Sequence, residues 1–337
     1  MKTIRGITVA PTRCALGALA LALLLPSPAA GDWFGGFEVG GVWDDNLSRG
    51  ELSSDVLSDR GLRVLAQVGR AIELEEGRGW TLGGSAEYNA WDEHEGMSNL
   101  VLEGSVAFRK KFGLGLLAPT LRSSLAVQRL EYDFSPRDGW RYQGELRWFK
   151  RLDERWELVT GVGYEVRRAD DEFLASPGGT GPGPGPGPGP GPGPGPGPGP
   201  GPGPGPGPGP GPGEDQKPGN VFDQERLSLS LAAGYSPSLP WLITLGYRFI
   251  DGDVASTAIP NARIVDAAEA ITDDLAFGAD RFAYRLDAEM HSLGLDVDRA
   301  LGDDAAVVLG FEHQTTRAAN GIDYDKDLVR LTLVYAF

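Results

Sequence analysis

The chain has 337 residues, a single cysteine, and 47 acidic against 31 basic side chains, for a formal charge of −16. That surplus repels a phosphate backbone, so nucleic acid is excluded as a partner. A lone cysteine, Cys14, excludes a disulfide framework and a cysteine metal site, and no cofactor is expected.

In chain order, Lys2, Arg5 and Arg13 precede an apolar run from Cys14 to Leu25, and small residues follow at Ser27 to Ala30. Residues 1–30 therefore read as a secretory signal peptide, with too short an apolar run to be a membrane-spanning helix. Its loss would take three positive charges from the chain, moving −16 to −19. Residues 31–337 hold no apolar run of spanning length. They hold instead twelve segments in which apolar and polar residues alternate: 34–44, 60–74, 80–91, 98–112, 119–132, 138–151, 156–169, 223–235, 241–251, 281–300, 305–317 and 322–337. In Trp241 to Phe249, for example, Trp241, Ile243, Leu245, Tyr247 and Phe249 form one face. Period two over nine or more residues predicts a strand with one apolar face. Soluble strands run to about 5–6 residues, whereas a tilted spanning strand needs about 9–11. Only 281–300 breaks phase: Phe282, Tyr284, Leu286, Ala288 and Met290 hand over to Leu293, Leu295 and Val297; a β-bulge near His291-Ser292 would restore the phase, a misplaced strand boundary being the alternative.

The connections alternate too. They are short at 75–79, 113–118, 152–155, 236–240 and 301–304, and several are long at 45–59, 171–222 and 252–280. The loop 171–222 contains a low-complexity tract, Gly181 to Gly213, of sixteen Gly-Pro pairs and a closing Gly. Proline gives no backbone donor there, so the tract joins no ladder and builds no core. The last segment sets Val329, Leu331, Leu333, Tyr335 and Phe337 on one face.

A final strand of this kind resembles the signal by which Gram-negative outer-membrane β-barrels are recognised for assembly, and short turns facing long loops are the pattern of that class. The resemblance implies an all-β, antiparallel up-and-down barrel of about twelve strands over 31–337, porin-like, with both termini in the periplasm and 171–222 as a disordered outer loop. It also implies outer-membrane lipid, lipopolysaccharide and the barrel assembly machinery as partners, with small solutes or an exported substrate in the lumen. The stretch Val42 to Gly50 (VWDDNLSRG) is similar to the opening strand of the barrel domains of surface lipoprotein assembly modifiers, which implies lipoprotein or polysaccharide export as an alternative. A structural barrel with a sealed lumen is a third.

With apolar residues facing lipid, the other face predicts the lumen lining: Glu38, Arg63, Glu87, Glu103, Arg109, Arg122, Arg141, Glu145, Arg147, Glu165, Arg226, Arg248, Arg285, Asp287 and Arg330, together with Glu157, Arg167, Glu289 and Glu312. Acids and bases nearly balance, so the net charge belongs to loops and rims. Twelve strands about 4.8 Å apart and tilted ~40° give a backbone diameter of about 24 Å. No catalytic set is expected. His94, His291 and His313 are scattered, and Ser292 beside His291 must point to the opposite face of a strand. Asp44, Asp45, Glu51, Asp55 and Asp59 offer oxygen ligands but match no defined calcium loop.

Overall fold

The computed structural model describes residues 33–170 and 219–337. The expected signal peptide and the Gly-Pro tract lie outside these residues. The strands are β1 (Trp33–Asp44), β2 (Asp59–Glu73), β3 (Arg78–Trp91), β4 (Asn99–Lys111), β5 (Thr120–Tyr132), β6 (Gly139–Arg151), β7 (Trp156–Ala169), β8 (Gln224–Tyr235), β9 (Trp241–Ala258), β10 (Ala270–Asp273), β11 (Phe282–Ala300), β12 (Ala305–Ala318) and β13 (Ile322–Ala336), with one short helix, α1 (Ala262–Ala267). Consecutive strands pair antiparallel, β9 pairs with β11, and β13 returns to β1. The result is a closed barrel of twelve strands with β10 as an extra, short strand on the end of β11.

Closure suits the sequence because alternation leaves each strand with one apolar face, and around the wall those faces turn outward, the loop-rim end of β11 excepted. Leu62, Leu82, Leu102, Leu125, Leu229, Leu245, Leu309 and Leu331 all remain exposed on the outer wall. Such a belt is costly in water and favourable in hydrocarbon, where a closed ladder also leaves no unpaired backbone group. Aromatic rings border it. At the rim of short turns Trp80 meets Phe108 at 5.0 Å and Trp156 meets Tyr235 at 4.6 Å, while Arg70 and Arg299 lie over Trp33 and Trp241 at 5.9 and 5.3 Å. The turns are locally closed. Asp153, for instance, accepts from the backbone N–H groups of Arg155 and Trp156 at 2.7 and 2.8 Å, and these bonds hold its carboxyl below the usual carboxylate range.

Two expectations fail at the rim of long loops, for related reasons. The segment 252–280 is not simply a loop: β9 runs seven residues past 251 to Ala258, and α1 and β10 follow. And β11 carries no bulge. Its register against β9 is continuous from Phe282↔Ala258 to Arg299↔Trp241, and against β12 from Ala288↔Ala318 to Ala300↔Ala306. The strand keeps its phase while its surroundings invert. Low in the wall the outer face is exposed and apolar; near the loop rim the inner face meets packed protein, so Tyr284, Leu286, Ala288 and Met290 turn inward and are buried. They form a core with Val254, Ala258, Ile264, Ala268 and Ile322.

Candidate pore and its capped mouth

Inside the barrel, register stacks the inward side chains into a polar lining. Arg63 bridges Glu38 at 3.0 Å and Glu87 at 2.7 Å, and Asn89 continues the chain to Glu87 and Asn99, each at 2.9 Å. Farther round, Gln128 donates to Glu103 at 2.5 Å and accepts from Arg141, and Gln143 donates to Glu165 at 2.7 Å. Arg226 lies 3.6 Å from Glu165. On the far wall Ser292 and Gln314 donate to Glu312 at 2.6 and 2.7 Å, and Arg330 meets Asp296 at 3.3 Å. Among the neutral amides, Gln128 joins Glu103 to Arg141, while Gln143 and Asn89 extend the network from Glu165 and Glu87 to Gln128 and Asn99. These amides share the strand parity of the predicted charged residues, which is the signal that could have found them.

The charges are unevenly distributed, with bases in excess on one wall although Glu145, Glu157 and Glu165 stand among them. The inner wall of β5 to β9 presents Arg122, Arg141, Arg147, Arg167, Arg226 and Arg248, while Glu38, Glu87, Glu103, Asp296 and Glu312 sit on the remaining strands. The basic wall borders a cavity of about 470 Å³ lined by Glu103, Arg122, Glu145, Arg147, Glu165, Arg226 and Arg248 with Ser124, Ser228 and Ser230.

At the loop rim the mouth is spanned by a folded cap. β9 and β11 continue beyond the wall, and the segment between them crosses to the opposite side. There Phe277 packs on His94 at 5.1 Å, and Asp274 accepts from Arg137 at 2.5 Å and from Thr257 at 2.6 Å. Arg137 also lies over Phe222 at 4.5 Å and Phe277 at 5.7 Å. The first loop locks against the same unit: Thr257 N donates to Ser48 O at 2.8 Å, Ser256 Oγ to Arg49 O at 2.7 Å and Ile259 N to the Asp55 carboxylate at 3.1 Å. Asn46 fixes that loop to Gly50 and Asp325, each at 2.9 Å, and Lys326 pairs with buried Asp44 at 2.5 Å. Asp133, near the β3–β4 turn, is pushed above the usual carboxylate range by burial and by Glu95.

Of the residues predicted to line the lumen, Glu38, Arg63, Glu87, Glu103, Arg109, Arg122, Arg141, Glu145, Arg147, Glu165, Arg226, Arg248 and Arg330 stand on inward rows, as do Glu157, Arg167 and Glu312. Arg285, Asp287 and Glu289 do not. They lie on the other face of β11, because its apolar residues turn inward under the cap; Arg285 binds the carbonyls of Asn220 and Asp223 instead. Val329, Leu331, Leu333 and Tyr335 face outward along the β13–β1 seam. The histidines stay apart: His94 pairs with Asp59 at 3.1 Å, His291 with Tyr247 at 2.8 Å and His313 with Asp327 at 2.7 Å. Ser292 turns inward to Glu312, away from His291. Of the loop acids, Asp44 is occupied by Lys326, Asp55 by Arg281 and Glu51 by Arg263.

No protein-family model matches the chain, and no curated protein sequence does. Solved structures match it at low identity. An outer membrane channel from Pseudomonas putida F1 superposes with a TM-score of 0.52 at 9% identity, covering 93% of this chain and 100% of that one. The β domain of the Bordetella autotransporter BrkA gives a TM-score of 0.46 at 13% identity over 91% and 100% of the two chains. The NanC porin gives 0.42 at 8% over 89% and 98%. The likeness to the Pseudomonas channel is one of fold: the chain is a porin-like, closed antiparallel β-barrel.

Proposed function

We propose that the protein is an outer-membrane channel, not an enzyme, with its short turns in the periplasm and its cap at the cell surface, passing small solutes through the polar lumen. The observation that carries this is the pairing of two surfaces on one wall: an apolar, aromatic-bordered exterior and an interior of charged and amide side chains around a cavity of about 470 Å³. Barrel assembly machinery and lipopolysaccharide are its expected partners.

The cap favours a second reading, a barrel whose lumen stays closed to through-flow. Conductance of the purified, heat-modifiable protein in a planar bilayer separates the two: discrete openings are expected, and a silent bilayer from folded protein would leave the closed barrel. Lipoprotein export has less behind it, since the Val42 to Gly50 stretch that suggests it is occupied within the barrel: Asp44 and Asn46 tie it to β13 through Lys326 and Asp325, and the carbonyls of Ser48 and Arg49 hold the cap.

A further inference from the structure

We infer that the cavity on the basic wall is a binding station for small oxyanions, carboxylate or phosphate, and that Arg122 is the residue that takes their charge. The inference rests on the lumen being the working surface of the protein.

Its basis is a register row that crosses six strands. Arg109 stands opposite Arg122, and Arg122 opposite Arg147. Arg147 stands opposite Gly161, Gly161 opposite Ser230, and Ser230 opposite Arg248. Directly opposed side chains on neighbouring strands sit with Cβ atoms about 4.5–5.5 Å apart, and like charges there destabilise the sheet. Two of the arginines are answered by the protein: Glu73 accepts from Arg109 at 2.6 Å, and Glu145 from Arg147 at 2.6 Å. Arg122, between them, has no hydrogen bond or ion pair among the described residues, and its side chain is exposed to the lumen. Arg248 likewise makes no direct contact with an acid; Glu312 lies within its electrostatic reach. A guanidinium held between two others is thus left for something outside the chain to neutralise.

The space for that group is built in. Between Arg147 and Arg248 the row holds only Gly161 and Ser230; Ser230 Oγ and the Arg147 stem close over Gly161, where a Cβ would stand 2.7 Å from the hydroxyl, and the cavity opens beside them over Gly163, Ser228 and Ser230. Gly163 and Ser228 repeat the arrangement one step toward the loop rim, again at 2.7 Å. The wall is hollowed by its smallest residues where arginines flank it on both sides. An oxyanion there can accept from Arg122, with Arg248 adding positive charge from the far side of the same cavity, and the serine hydroxyls suit further polar groups on the same solute. A neutral solute of equal size finds no comparable partner. Guanidinium groups favour this class because their planar donors match two oxygens at once.

Calorimetric titration of citrate and of inorganic phosphate into the detergent-folded full chain tests the inference, with glucose as the uncharged comparison. Saturable binding of at least one anion, and none of glucose, is expected. Arg122→Gln should weaken it at least tenfold and Arg122→Lys by less, with folding checked by heat-modifiability. Arg122→Gln should also raise the unfolding temperature in buffer free of multivalent anions, because the repulsion is relieved. No saturable binding by the folded protein, or equal binding by Arg122→Gln, would overturn the station. The readout does not need conduction. A silent bilayer with anion binding would remove the channel and keep the station; a conducting barrel that binds neither anion would do the reverse.

Discussion

Asp274 is buried at the point where the cap touches the opposite wall, and its Oδ2 accepts from both Arg137 and Thr257. Removing one partner of a buried ion pair leaves the other charge desolvated and uncompensated, which costs about 3–5 kcal/mol. Arg137 is itself buried, with Nε unpartnered, so it has little to fall back on beyond the Phe222 and Phe277 rings. Asp274→Ala should therefore release the cap without touching the wall. Amide exchange over 259–281 is expected to speed by about a hundredfold or more, the factor that 3 kcal/mol implies, while exchange in the strand ladders stays unchanged. Equal exchange in the variant and the parent would show that the pair does not hold the cap. None of this is visible residue by residue in the sequence. Asp274 follows another aspartate in a polar stretch and reads as one more loop carboxylate; only the crossing of the mouth brings it to Arg137.

At the level of the element, Gly252 decides where the wall ends and the cap begins. The last paired residues of β8 and β9 are Arg226 and Gly252, and beyond them β9 leaves β8 while staying paired with β11. Gly252 has a φ of +135°, and a Cβ there would stand 2.1 Å from the carbonyl oxygen of Glu225. By sequence, the strand ends at 251 and a long connection begins at 252; in the structure this glycine bends a strand that continues to Ala258. The general pattern was legible because the closed wall repeats one requirement in every long strand, an apolar outer face with period two. Beyond Gly252 that requirement lapses, and the inward burial of Tyr284 and Leu286 answers to the cap instead. The row of Arg109, Arg122 and Arg147 was illegible for another reason: each residue could be placed in the lumen, but their alignment is a property of register among three strands. Gly252→Ala should force the cap away from the first loop and the opposite wall, at a cost of about 1–3 kcal/mol for the strained backbone. The expected result is faster proteolysis of the cap on an intact, heat-modifiable barrel; a variant as resistant as the parent would mean that the bend is not fixed by this glycine.

For the whole molecule the critical place is the seam where β13 meets β1, since a barrel with one unpaired edge leaves a row of backbone groups facing hydrocarbon. The seam runs from Asp44↔Leu328 to Gly36↔Ala336, and Phe337 extends it by one step. Its N–H and carbonyl exchange hydrogen bonds with Gly35 at 3.0 Å each. Its ring covers the face of Gly35 so closely that a Cβ there would lie 2.5 Å from the ring, and Tyr335 lies 6.4 Å away on the same outer face. Phe337 thus does two things at once: it completes the ladder at the turn rim, and it shields that last pair with an aromatic surface suited to the interface. Phe337→Asp keeps the backbone pair but sets a carboxylate at the aromatic border, whereas Phe337→Leu keeps the apolar cover. Levels of heat-modifiable protein in the membrane fraction should fall several-fold for the Asp variant and little for Leu. If both variants assemble as well as the parent, the seam is closed by its backbone pairs alone and the ring at its end is not needed.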